Sequence, residues 1–146
     1  MSRHRRSLGD YRWDGVELRD YKPAGTHFRG ITRQVLFDGP GGLGAQLRYF
    51  EIAPGGHSTL ERHRHPHAVM VLRGRGRALA GDRIVDLAPF DLLEIGPDEW
   101  HQFRADDEPL GFLCLVDCER DRPVRPGPAD LERLRRDPRI AAFIRV

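Results

Sequence analysis

The sequence predicts an all-β sandwich or barrel, and three observations carry that prediction. Strand-like runs recur from residue 28 to residue 116, glycine, proline or aspartate punctuates them, and helix signals are nearly absent before residue 128. In order, the runs are Phe28–Phe37, Ala45–Ile52, His67–Arg73, Arg75–Ala80, Arg83–Leu87, Asp91–Ile95, Trp100–Ala105 and Leu110–Val116. Pro40-Gly-Gly42 follows the first run, and Pro54-Gly-Gly56 is expected to close the second. Arg73-Gly-Arg-Gly76, Gly81-Asp82 and Gly96-Pro-Asp98 separate the later ones. Each turn supplies a permissive glycine φ or a fixed proline φ where a tight reversal needs it. Beyond the loop Arg122–Pro128 the character changes. Ala129–Arg136 places Leu131 and Leu134 three apart among charges and stops before Pro138, which predicts one short amphipathic helix. The apolar Ile140–Ile144 is suited to dock either on the barrel or on a second subunit.

At 146 residues and 39% hydrophobic, the chain is expected to form one domain, residues 1–146, with a real core. Strands over 11–37 precede a barrel core at about 45–116, and an extension over 119–146 follows. The formal charge of +2 comes from 24 basic and 22 acidic residues spread throughout, which does not indicate a nucleic-acid surface. Met1–Arg6 is basic but no long apolar segment follows it, so neither a secretory signal nor a membrane anchor is expected. Cys114 and Cys118, the two cysteines, lack a partner pair for a zinc knuckle and imply no disulfide framework. A reduced, cytoplasmic protein fits this usage.

The most informative chemistry lies in Glu61-Arg-His-Arg-His-Pro-His-Ala-Val-Met70, where His63, His65 and His67 alternate. On an extended strand, side chains two apart share a face about 6 to 7 Å apart, so His63 and His65 are expected to form a pincer on one ion. A single histidine is ordinarily a surface or hydrogen-bonded residue, the default reading for His4, His27 and His57. Three within five positions, followed by the apolar Val69–Leu72, point instead to a face that leads inward.

The triplet and its surroundings resemble the first motif of the cupin family. Gly81–Leu87, Pro89-Phe-Asp-Leu-Leu-Glu-Ile95 and Gly96-Pro-Asp-Glu-Trp-His-Gln-Phe103 resemble the second. The resemblance covers about Ala45–Val116 and implies a small cupin of the double-stranded β-helix (jelly-roll) type, holding one divalent metal inside its barrel. By matching position it implies His63, His65 and His101 as ligands. No acidic residue lies between His65 and Gly74, and His67 stands where the family places a glutamate, which resembles the less common four-histidine site. In a straight strand His63 and His67 would be about 13 Å apart, so ligation by His67 requires a bend at Pro66. Without the bend, His67 is a proton carrier or a surface residue. Phe90 departs from the family's Pro-x-Gly-Asp, so a glycine-like turn conformation is not expected there.

An all-imidazole set disfavours Mg and Ca and leaves Fe, Mn, Ni, Cu or Zn as the cofactor. Alternation places Arg48 and Phe50 on one side of an early strand, Phe112 and Cys114 on one side of the last, and Phe103 beside His101. These five are the expected lining of a small-molecule pocket. Each also has a plainer reading: Arg48 on a solvated strand face rather than clamping a carboxylate, Phe50, Phe103 and Phe112 as core, Cys114 as a small buried residue. The resemblance implies a dimer and makes a metal-dependent, dioxygenase-like oxidoreductase the first functional expectation. The alternatives are a non-redox isomerase or lyase, with Glu99 or His67 as base, and a ligand-binding module without catalysis.

Overall fold

The computed structural model describes residues 1–146. Its strands are β1 (Ser7–Gly9), β2 (Arg12–Trp13), β3 (Arg19–Asp20), β4 (Arg29–Asp38), β5 (Ala45–His57), β6 (His67–Arg73), β7 (Gly76–Ala80), β8 (Arg83–Leu87), β9 (Leu92–Ile95), β10 (His101–Ala105) and β11 (Leu110–Asp117). Two short helices follow, α1 (Pro128–Leu134) and α2 (Pro138–Phe143). The strands form a jelly-roll half-barrel. One layer runs β3-β4-β5-β11-β6-β9, the other β8-β7-β10, and β5 belongs to both. Residues 45–52 of β5 pair with β11 and β4, whereas its last residue, His57, keeps β4 as a neighbour through Arg29 but takes Arg104 of β10 on its other side.

This crossing corrects one expectation. Pro54-Gly-Gly56 does not close a strand but lies within β5. Gly55 adopts φ 71° and donates its N–H to the Asp106 carbonyl at 3.0 Å, while a Cβ on Gly56 would abut the Arg29 carbonyl oxygen. The register of β4 against β5 shifts at the same level, so the segment is a bulge that bends β5 from one layer into the other.

Between the layers lies the main core, in which Phe50 and Ile52 of β5 meet Val69 and Val71 of β6, Phe103 of β10 and Phe112 of β11. Phe112 stacks on Phe103 with ring centroids 4.5 Å apart. Tyr49 points to the opposite face of β5 yet is buried, because Tyr11 stacks on it at 5.6 Å and Trp13 meets it edge-on at 5.5 Å. The three short strands β1 to β3 thus bring the N-terminal segment over the outer face and one edge of the first layer.

The single expected C-terminal helix is two helices with a proline at the start of each, where the missing N–H costs nothing. Asp130 accepts from the Gly127 N–H at 3.0 Å, and Asp137 accepts from the Arg139 N–H at 2.8 Å. Of the two docking sites open to the apolar tail, it takes the barrel of its own chain. Ile140, Phe143 and Ile144 pack on Leu60 and Leu79, and the Gln102 side chain donates to the Arg145 carbonyl at 2.7 Å and accepts from its N–H at 2.9 Å.

Phe90 overturns a further expectation. It adopts φ 72°, the conformation that a glycine would take, with its ring three-quarters exposed. Its N–H bonds to the Val71 carbonyl at 2.7 Å, and Asp91 accepts from the Ala88 N–H at 2.8 Å. These bonds hold the turn against the side-chain penalty of the left-handed region.

Candidate functional site

His63 and His65 do not lie on a strand. They sit in the loop between Arg62 and β6, and the backbone bends at Arg64 and His65, ahead of Pro66 rather than at it. The bend changes which histidines meet. The ring nitrogens of His63, His67 and His101 come within 4.8 Å of one another. His65 lies flat against His63, ring centroids 3.6 Å apart and planes 1° from parallel, and stands outside the compact group. The strand-borne pincer of His63 and His65 is therefore replaced by a loop histidine, His63, facing two strand-opening histidines, His67 of β6 and His101 of β10.

Hydrogen bonds fix how the imidazoles point. His63 Nδ1 donates to the His65 carbonyl at 2.7 Å, and His101 Nδ1 donates to the Glu99 carbonyl at 2.9 Å. A carbonyl only accepts, so both rings carry their proton on Nδ1 and turn the Nε2 lone pair into the site. Asp121 accepts from His65 Nδ1 at 2.9 Å and from the Arg64 and His65 backbone N–H groups. Those donors, the Arg64 N–H foremost, hold its carboxyl well below the usual range. His67 Nδ1 lies 3.2 Å from Cys114 Sγ, and its Nε2 lies 2.8 Å from His63 Nε2. Two nitrogens facing at that distance need a proton or a cation between them. His101 Nε2 is buried without any hydrogen-bond partner, which outside a metal site would be a costly orphan.

Burial drives these imidazoles toward the neutral, ligating form. Desolvation first, then the neighbouring His101 and His65, lowers the His63 pKa to about 4. His67 is lowered further by burial and by His101 and His63, and His101 is lowered chiefly by burial. Cys114 is pushed the other way, its thiol raised by desolvation against the opposing pull of Arg48. The donor set is thus neutral nitrogen with engaged rear atoms, which suits a metal ion.

The histidines open on a cavity of about 480 Å³, which His65 also lines. Arg48, Phe50, Phe103, Phe112 and Cys114 all line it. Arg48 is buried rather than on a solvated face, with Nη2 3.4 Å from Cys114 Sγ and its guanidinium 4.9 Å from the Phe50 ring centroid. Glu99 does not face the cavity; its carboxylate accepts from the Gly96 N–H at 2.7 Å, which removes it as a candidate base. Sequence reasoning missed Lys22, Arg33, Glu61, Arg120 and Asp121 as lining residues. Glu61 and Lys22 form an ion pair at 2.6 Å inside the cavity. Only Arg33 carried a usable signal, its alternation with Ile31 and Val35 on β4; Arg120 and Asp121 lie beyond the last strand, where alternation gives no guidance.

A jelly-roll half-barrel with clustered histidines in its cavity is the architecture of the cupins, and the chain belongs to that family: residues 48–116 match the cupin domain. Over 136 residues the chain is 57% identical to 1-methylthio-D-xylulose 5-phosphate methylsulfurylase of Rhodospirillum rubrum, an alignment that covers 92% of this chain and 86% of that protein. Among solved structures, a cupin 2 conserved barrel domain protein from Rhodopseudomonas palustris superposes with a TM-score of 0.93 at 49% identity, covering 99% of this chain and 100% of that one. A cupin-2 domain protein of Rhodospirillum rubrum gives a TM-score of 0.86 at 57% identity, over 91% of this chain and 90% of the other. The expectation of a dioxygenase-like oxidoreductase is overturned by the first of these relatives, which is named for methylsulfurylase action on a methylthio sugar phosphate.

Proposed function

We propose that the protein is a metal-dependent cupin enzyme that acts on the methylthio group of a phosphorylated ketose such as 1-methylthio-D-xylulose 5-phosphate. The observation that carries this reading is the 57% identity to the methylsulfurylase over 92% of the chain. The convergent Nε2 atoms of His63, His67 and His101 would hold the metal, with His65 beside them as a fourth donor of the same polarity. A bound divalent ion would supply Lewis acidity to a substrate carbonyl. Phe50, Phe103 and Phe112 offer an aromatic wall for the soft, apolar S-methyl group. For His67 Nε2 to ligate, its Nδ1–H donates to Cys114 Sγ, and that contact fixes the orientation of the ring.

The test is incubation of the purified protein, loaded in turn with Mn, Fe, Ni, Cu or Zn, with 1-methylthio-D-xylulose 5-phosphate, with and without a small thiol as methylthio acceptor. Loss of the substrate's S-methyl proton resonance, at equal rates with and without dioxygen, is the expected result. A metal-loaded protein that leaves that resonance unchanged under every condition refutes the reading.

A further inference from the structure

We infer that Arg33, Arg48 and Arg120, with Arg19 at the rim, form a phosphate-ester subsite on the wall of the cavity that meets the histidines at Cys114. Strand register brings the first members together. Arg19 of β3 stands directly opposite Arg33 of β4, Arg33 opposite Phe50, and Val35 opposite Arg48 of β5, which in turn faces Cys114 of β11. Directly paired residues share a face, so Arg19, Arg33 and Arg48 all lie on the side that carries Phe50 into the cavity. Arg120 reaches the same space from the segment after β11.

Such an arrangement opposes stability unless an anion compensates it. Like charges placed opposite each other across two strands repel. Arg48 is only 9% exposed, its Nε has no partner, and the Arg33 Nε is likewise buried and unpartnered. Burial first, and then the charge of Arg48, lowers the pKa of both Arg33 and Arg120. The acids that line the cavity do not relieve this, although outside it Asp38 pulls on Arg120, whose Nη1 also donates to the Asp117 carbonyl at 2.7 Å. Glu61 is taken by Lys22, Asp121 by His65 and the loop backbone, and Glu17 holds Arg19 only on the exposed side. Asp20 is exposed at the rim. Counting side chains that line the cavity, five cations (Arg19, Lys22, Arg33, Arg48, Arg120) face three carboxylates (Asp20, Glu61, Asp121), an excess of two positive charges. A phosphate monoester carries about −1.5 to −2 near neutral pH, of the sign and order that this excess calls for before any metal charge is added, and guanidinium forks suit its oxygens.

Cys114 sets the polarity of the cavity. Its Sγ is 3.4 Å from Arg48 Nη2 and 3.2 Å from His67 Nδ1, so one thiol touches both the cationic wall and the histidines. A phosphorylated sugar would therefore enter with its phosphate toward the arginines and its carbonyl end toward the histidines. Identification of the anion as a sugar phosphate rests on the function proposed above; the cationic cluster stands on geometry alone.

Calorimetric titration with D-xylulose 5-phosphate, which has no methylthio group, and with unphosphorylated D-xylulose tests the subsite apart from the reaction. The wild type should bind the phosphate ester and not the free sugar. Arg33→Gln, Arg48→Gln and Arg120→Gln should each weaken binding about tenfold or more while leaving histidine-dependent metal content unchanged. Arg120→Gln lies outside the barrel strands and keeps the test decisive if either strand variant fails to fold. Equal binding of xylulose and its phosphate, no binding of either, or wild-type affinity in the folded arginine variants overturns the subsite. Arginine-dependent binding of the ester together with no methylthio turnover upholds the subsite and refutes the proposed reaction. Methylthio turnover with an unchanged KM in the arginine variants does the reverse.

Discussion

Acidification of the metal-free protein from pH 7.5 to pH 5 should destabilise it through its buried histidines. An exposed imidazole titrates near 6.5, whereas His63 in the folded chain titrates near 4. At pH 5 the unfolded chain has therefore bound a proton at this position that the folded chain largely refuses. Stability from this group is complete above pH 6.5 and falls as the pH drops toward 4. By pH 5 the loss is about 2 kcal/mol from His63, and His67 and His101 act in the same direction because burial lowers both. For a chain of this size 2 kcal/mol corresponds to a fall in Tm of roughly 4 to 8 °C. Asp121 does not confuse the window. Its carboxyl is depressed from 3.8, so its contribution is intact above that value and is lost only at lower pH. The assay is thermal unfolding of chelator-treated protein between pH 7.5 and 5, alongside His63→Gln and protein saturated with Zn or Mn. The variant should show a shallower pH slope, and the metal-loaded protein should resist acid, because protons must then compete with the ion. A Tm of the metal-free protein that does not move over this range, or a His63→Gln variant with the full slope, refutes the reasoning.

Three further outcomes are expected. Phe90→Gly should raise stability by about 1 kcal/mol, since it relieves a left-handed residue whose ring is mostly exposed; a lower urea midpoint would instead give the ring a packing role. Phe143→Ala should cost about 3 kcal/mol by emptying the contact between α2 and the barrel, read by the same denaturation. Asp121→Ala should lower metal affinity about tenfold by releasing His65 Nδ1; unchanged affinity in a chelator competition would show that His65 takes no part.

Much of the barrel was legible because strand alternation and turn residues are local signals. His67–Arg73 and Arg83–Leu87 are observed with the bounds that the turns predict. What escaped depends on contacts distant in sequence. Pro54-Gly-Gly56 carries the composition of a terminating turn, and only the bond from Gly55 to Asp106 and its position beside Arg29 make it a bend within β5. The histidines were found by composition, but their grouping was not. A strand template pairs residues two apart, whereas the bend at Arg64 and His65 stacks that pair and brings His67 to His63 instead. Phe90 violates the local preference that sequence reasoning relies on, and only the hydrogen bonds that its turn makes with Val71 and Ala88 explain it.

The segment that follows β11 has a consequence for how such a protein can change. Arg120, Asp121 and Pro123 line the cavity, yet none belongs to a strand. The segment is tied down by reciprocal Arg62 and Val124 backbone bonds of 3.0 and 2.8 Å and by Asp121. The barrel core of Phe50, Phe103 and Phe112 takes no part in that anchoring. Exchanging residues 119–125 between related barrels would therefore redraw the rim of the cavity and, unless Asp121 were kept, loosen the histidine loop that it holds, while the strand pairing of the barrel stayed as it is.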